Sequence, residues 1–297
     1  MHWRAQPFAS AAIIAALIAI ALPVAAIVTT AVSQSDNALG HLARNVLPYA
    51  LLDTALLLAG VGLLSLILGV ATAWIISAYR FPGRDALSWL LVLPMALPTY
   101  LAAYLAVELM EPLGPLQSAF RAATGYSSRA QYWFPEPRNI VGAVVIMSLA
   151  LYPYVYVAAR AMFAMQTAST IEMARLLGAR GHWRLARIAI AQARPGVAAA
   201  LALVLLETLN DVGATEYLGV RSLTVSIYTT WLQRNSLAGA AQIALILLLV
   251  VGLLLAVETR ARIDRHYAAS PKQTRRMAPI ALTARQRIAA FAICATP

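Results

Sequence analysis

Six apolar runs, each long enough to cross a lipid bilayer, constrain this chain more than anything else in it. They lie near Ala11–Val32, Leu51–Ala78, Leu87–Met110, Ile140–Phe163, Val197–Ala214 and Leu237–Val257. A hydrocarbon core about 30 Å thick takes roughly 20 helical residues to span. Backbone N–H and C=O groups in lipid must be satisfied within the segment, so such runs are helices. They show no period-two alternation, which excludes a transmembrane barrel. Of 297 residues, 61% are hydrophobic and 12% charged, which is not the composition of a soluble domain. The predicted fold class is an all-α membrane protein with six transmembrane helices.

A net charge of +11 raises the question of a nucleic-acid partner, and its distribution answers it. With the N-terminus inside, the cytoplasmic segments hold Arg4, Arg80, Arg84, Arg160, Arg175, Arg180, Arg184, Arg187 and Arg194, and the tail from Arg260 to Arg287 adds more. The opposite side holds only Arg44, Arg121, Arg129, Arg138, Arg221 and Arg234. This bias is the positive-inside rule, so basicity records membrane insertion and a cytoplasmic N-terminus rather than a polyanion ligand. The first run is longer than the 7–15 residues usual for a signal-peptide core, which favours an anchored helix over a cleaved leader. Cys294 is the single cysteine, leaving no disulfide and no cysteine-based metal site.

Three regions follow. Residues 1–45 hold the first helix and an outer loop, 46–260 the transmembrane core, and 261–297 a basic cytoplasmic linker. That linker ends in an apolar stretch, Ile288–Pro297, too short to span and resembling the start of an incomplete seventh helix. Pro94 and Pro98 interrupt the third run, as a plain kink or as a bend that shapes a pathway. The outer loop Glu111–Asn139 is rich in aromatics (Tyr126, Tyr132, Trp133, Phe134), read as an interfacial belt in preference to a ligand cage. Asp53 and Glu108 fall near the outer interface and are expected to be solvated.

The polar insert Ser169–Pro195 stands between the fourth and fifth runs. Ser169 and Glu172 fit a capping box. Ala174 and Gly178 share a helical face, where a partner backbone can approach closely. Gly178 and Gly181 can end the helix, and His182-Trp183-Arg184 starts a second amphipathic segment. The expectation is a short helix, a turn and a second helix along the membrane surface, presented to a partner.

This insert resembles the EAA loop of importer-type ABC permeases, the inner-membrane components of binding-protein-dependent transport systems. Glu172-Met173-Ala174, Gly178 and Ile188-Ala189-Ile190 fall at the motif's spacing, with Met173 in place of an alanine and Ala191 in place of the proline. In that family the loop forms a coupling helix seated in the ATPase subunit, so the resemblance implies that role for Glu172, Ala174, Gly178 and Ile188. Further segments, Leu206-Glu207-Thr208-Leu209-Asn210-Asp211-Val212-Gly213 and Leu93-Pro94-Met95-Ala96-Leu97-Pro98-Thr99-Tyr100 among them, are similar to ferric-iron permeases. The resemblance implies a type I importer permease of the bacterial inner membrane. Its partners would be an ABC ATPase subunit, a periplasmic substrate-binding protein and a second permease half. The chain itself would be the N-terminal half of a fused permease, with ferric iron as its substrate.

Glu207, Asn210 and Asp211 are spaced at i, i+3 and i+4 within the fifth run, one helical face. Ionisable groups in a span are costly and face a cavity or a partner. Acidic oxygens suit a hard cation, and an interhelical hydrogen-bond cluster is the other reading. No G-x-x-x-x-G-K-[ST] occurs, so ATP is expected to be used by the partner, with no cofactor bound here. His2, His41, His182 and His266 are scattered, and no nucleophile–base set argues for an enzyme. An ion-coupled secondary transporter, or a truncated non-functional remnant, are the alternatives.

Overall fold

Most of the long apolar runs form single helices, and the places where they do not define the molecule. A computed structural model describes residues 7–33, 38–165, 182–263 and 280–297. The helices are α1 (Pro7–Ser33), α2 (Ala38–Asn45), α3 (Leu47–Ala78), α4 (Arg84–Leu90), α5 (Thr99–Met110) and α6 (Pro115–Thr124). They continue with α7 (Ile140–Met165), α8 (His182–Asn210), α9 (Val212–Tyr217), α10 (Leu223–Leu232), α11 (Leu237–Ile263) and α12 (Ala284–Ala295). Among the described residues five helices are long and apolar enough to cross a membrane, or six if the bent pair from α4 to α6 counts as one span.

The core is the three-helix contact of α3, α7 and α8, where Val61, Ala73, Met147, Val155, Ala193 and Val204 are buried. Lipid tails are as apolar as leucine, so helices in a membrane associate through close van der Waals packing, for which small residues are suited. Glycine supplies that here. A Cβ on Gly69 of α3 would stand 2.6 Å from Val155 Cβ and 2.9 Å from the Tyr156 amide nitrogen, and one on Gly60 would meet Val144 at 2.6 Å. α1 lies against α11, tied by Gln242 Nε2 donating to the Ala31 carbonyl at 3.1 Å. Its membrane-length window is otherwise unburied.

The third run is not the single helix expected over Leu87–Met110. α4 ends at Leu90, a 3-10 turn covers Leu93–Ala96, and Leu97 is extended (φ −102°, ψ 121°) before α5 begins. The two halves meet at 98°. Pro94 and Pro98 lack an amide donor, and Pro98 forces the residue before it out of helical geometry.

The second amphipathic segment of the insert also differs from expectation. It does not form a separate surface helix: from His182 it runs straight through Pro195 as the first part of α8. Buried Ala189 and Ala193, and the contact of Gly196 with Met162 of α7, hold it to the bundle. Ile188 sits there, half-buried. Glu172, Ala174 and Gly178 lie outside the described residues.

Asp53 is engaged rather than merely solvated. Its Oδ2 accepts the Arg221 amide at 3.3 Å, and Thr54 Oγ1 accepts the Leu223 amide at 2.9 Å, fixing the start of α10 to α3. In the outer loop, Tyr132 packs on Phe120 and Tyr126 with ring centroids 5.0 and 5.6 Å away. Tyr132 also donates to Gln117 Oε1, and Gln117 is 2% exposed. These aromatics hold the loop together, while Trp133 is 85% exposed. The last apolar stretch forms α12, which packs on α3 and α4 and buries Ala290 and Cys294. Ahead of it, β2 (Ile280–Ala281) pairs in parallel with β1 (Tyr79–Arg80).

Filling the α3–α7 contact should therefore be costly. Gly69→Val is expected to destabilise the protein by about 1–3 kcal/mol through overpacking. Gly252→Ala on α11, where a Cβ meets nothing within 4 Å, should stay within about 0.5 kcal/mol of wild type. Thermal unfolding in detergent, followed by the loss of the monodisperse gel-filtration peak, compares the two.

Candidate functional site

A second interruption faces the first. α8 stops at Asn210, and Asp211 (φ −81°, ψ 86°) leaves the helix to become the N-cap of α9. Its Oδ1 accepts the Ala214 amide at 2.8 Å, and the Thr215 hydroxyl donates to its carbonyl at 2.6 Å. Aspartate is suited to this because its side chain competes for nearby amides and satisfies an orphan donor at a helix start. The fifth run is thus not one helix from Val197 to Ala214. Glu207 and Asn210 belong to the last turn of α8, and the Asp211 amide still donates to the Glu207 carbonyl at 3.1 Å, so the helix breaks after the position of Asp211 is set.

All three nevertheless meet in one place. A polar cavity of about 320 Å³ is lined by Glu207, Asn210 and Asp211, by Leu97, Pro98, Thr99 and Tyr100 from the break in the third run, and by Leu151 and Tyr154 of α7. Glu207 and Asn210 are exposed to it, while Asp211 is half-buried beside the Thr99 side chain. The two breaks touch: a Cβ on Gly213 would stand 3.2 Å from Tyr100 Cβ, so α9 packs tightly on α5 there. On the same side, Tyr104 and Tyr217 pair at 5.7 Å, and Arg138 lies 4.9 Å over the Tyr217 ring and 3.5 Å from Glu111.

The chemistry of this lining is charge and hydrogen bonding on a small scale: two carboxylates, one amide, one threonine hydroxyl and two phenols. Among the described residues no group of three or more His, Cys, Asp or Glu could hold a metal ion. Non-helical backbone is tolerated at membrane depth where it lines a cavity or is buried in protein, and paired broken helices mark solute sites in transport folds.

The sequence pointed to Glu207, Asn210 and Asp211 directly, and Pro94 and Pro98 marked the segment that contributes Thr99 and Tyr100. Tyr154 was missed as a lining residue. It sits in an apolar-aromatic stretch with no periodicity that separates a cavity face from a core face.

Residues 65–266, more than half of the chain, match the model of the binding-protein-dependent transport system inner membrane component. The chain is 28% identical over 200 residues to a probable molybdenum ABC transporter permease protein of Haloferax volcanii, covering 66% of this chain and 68% of that one. It is 28% identical over 218 residues to the molybdenum transport system permease protein of Escherichia coli, covering 69% and 90%. A sulfate transport system permease protein of Salmonella typhimurium matches at 26% over 154 residues, covering 51% and 52%. In fold, the chain is similar to the bacterial alginate ABC transporter solved in complex with its alginate pentasaccharide-bound periplasmic protein. That match has a TM-score of 0.68 at 17% identity and covers 89% of this chain and 94% of that one. These comparisons bear out an importer-type permease and its helical membrane fold, and they do not bear out closeness to ferric-iron permeases. The chain belongs to the family of inner-membrane permease components of binding-protein-dependent ABC transport systems.

Proposed function

We propose that this permease passes a small solute through the cavity between its broken third span and the end of α8, delivered from outside by a periplasmic binding protein. ATP hydrolysis takes place in a separate ATPase subunit, which grips the loop around Glu172, Ala174 and Gly178. Ile188 at the start of α8 carries the motion into the bundle. The protein sits in the bacterial inner membrane with its N-terminus in the cytoplasm and works beside a second permease half. The observation that carries this reading is the convergence of Glu207, Asn210 and Asp211 with the Pro98–Tyr100 break around one cavity in a chain of this family.

For the solute, the carboxylates of Glu207 and Asp211 favour a hard cation, with ferric iron as the specific proposal. Two unit charges of like sign 4 Å apart repel by about 4 kcal/mol at an effective dielectric of 20, which opposes an anion beside them. A second reading has its own support. The relatives named above are molybdenum and sulfate permeases, and α5 begins beside the cavity with Pro98 as an N-cap that makes no side-chain hydrogen bond. The free amides of a helix start attract oxyanions.

Uptake into proteoliposomes with radiolabelled ferric iron, molybdate and sulfate separates the two. On the cation reading, Glu207→Gln combined with Asp211→Asn lowers uptake at least about tenfold, on the order of the loss of one charged hydrogen bond. On the oxyanion reading the same pair leaves uptake unchanged or raises it. Asparagine keeps an acceptor for the Ala214 amide, whereas Asp211→Ala should also cost about 1 kcal/mol of stability through the lost cap.

The coupling role has a separate check. Glu172→Arg and Gly178→Trp should each abolish co-purification with the ATPase subunit while the permease still inserts and stays monodisperse. Retention of the ATPase by both variants would refute the assigned contact.

A further inference from the structure

The break in the third run leaves backbone carbonyls that its own helix cannot satisfy. In an unbroken helix the Ser88 and Leu91 carbonyls would accept the amides four residues on, at Val92 and Met95. Here the Val92 amide donates to Trp89 at 3.0 Å and the Met95 amide to Val92 at 3.1 Å, so both carbonyls are released. Helix α7 takes them up. Tyr152 Oη donates to the Leu91 carbonyl at 3.0 Å, and Tyr156 Oη to the Ser88 carbonyl at 3.2 Å. Arg160 Nη1 adds a third rung, 3.4 Å from the Ser88 carbonyl and 3.3 Å from Tyr156 Oη. The three side chains stand at i, i+4 and i+8, one stripe along α7. Both tyrosines are buried, and neither lines the polar cavity.

From these bonds we infer that Tyr152, Tyr156 and Arg160 are positioning residues that link movement of α7 to the cavity wall at Pro98–Tyr100. This rests on the importer reading above. α7 ends at Met165, immediately before the loop assigned to the ATPase, and carries Tyr154 on the cavity. The segment it grips at Ser88 and Leu91 continues within a few residues into the opposite wall. A hydrogen-bonded stripe spaced by helical turns has discrete registers, so α7 carries the elbow as a unit or slips by a turn, rather than deforming gradually. Phenylalanine at either tyrosine position would pack as well; the hydroxyls, aimed at orphaned carbonyls, are what hold the register, with Arg160 bracing the outer rung.

The test uses the full chain with its ATPase subunit in proteoliposomes. Asn210→Cys reports cavity access through labelling by a membrane-impermeant maleimide, with and without Mg-ATP and vanadate. Native Cys294 stays silent because it is buried and burial pushes its thiol up to about 11. In this parent, the pair Tyr152→Phe with Tyr156→Phe is expected to retain the ATPase subunit and hydrolyse ATP at close to the parental rate. The ATP-dependent change in labelling should fall at least about fivefold, the factor that corresponds to losing one net hydrogen bond. If the pair does not assemble, the single Tyr156→Phe variant is judged by the same criterion. Labelling that switches as in the parent overturns the inference, as does a proportional fall of hydrolysis and switching, which marks a purely structural role. A parent with an intact stripe whose labelling ignores ATP would instead sink the importer reading, and the stripe's role would fall with it.

Discussion

Everything distinctive here follows from one constraint: a backbone polar group in lipid has no water to turn to. A run of apolar residues satisfies it by forming a helix, and α3, α7 and α11 do so over 32, 26 and 27 residues. A run broken by Pro94 and Pro98 cannot, and α8, itself a helix of 29 residues, stops at Asn210, where Asp211 caps the next helix. Each break must then find partners in the protein or line a cavity. The molecule does both, with tyrosine hydroxyls reaching the carbonyls around the first break and an aspartate cap closing the second.

That division gives α7 three jobs on three faces. One face meets α3 at Gly60 and Gly69 so closely that no side chain fits. A second carries Tyr152, Tyr156 and Arg160 to the Leu91 and Ser88 carbonyls, and Tyr154 opens on the cavity. Glycine contacts fix position without direction, since dispersion is non-directional and falls off over tenths of an ångström. Hydrogen bonds add register. A helix fixed on one side by packing and on another by directional bonds is held as a rigid unit, as the proposed link between α7 and the cavity wall requires.

The membrane class, the number of apolar runs and the three polar residues of the fifth run were legible because each is a local signal. Run length reports bilayer thickness, and an ionisable residue inside a run stands out against leucine and alanine. Where the sequence misled, the reason was tertiary. The spacing of Glu207, Asn210 and Asp211 holds in the structure, but the fifth run reads as continuing to Ala214, and the competing cap at Asp211 ends the helix at Asn210. The insert's second segment reads as amphipathic, yet burial of Ala189 and Ala193 against the bundle makes it the stem of α8. Tyr152 and Tyr154 are two residues apart in one aromatic stretch, and only the fold separates the carbonyl clamp from the cavity wall.

The acidic cavity also constrains how a permease of this kind can share its family with oxyanion carriers. Fold and coupling depend on apolar packing and on the carbonyls of a broken span, neither of which senses the charge of the solute. Charge enters only at the lining, through Glu207 and Asp211 set against the start of α5. One of these, Asp211, has a structural task as the α9 cap, which an uncharged asparagine performs equally well. Its carboxylate is thus more than the fold demands. The charge that is surplus to structure is the part of the cavity lining most free to vary, so under the proposed function a change of substrate sign within this fold would take few substitutions and leave the packing of α7 intact.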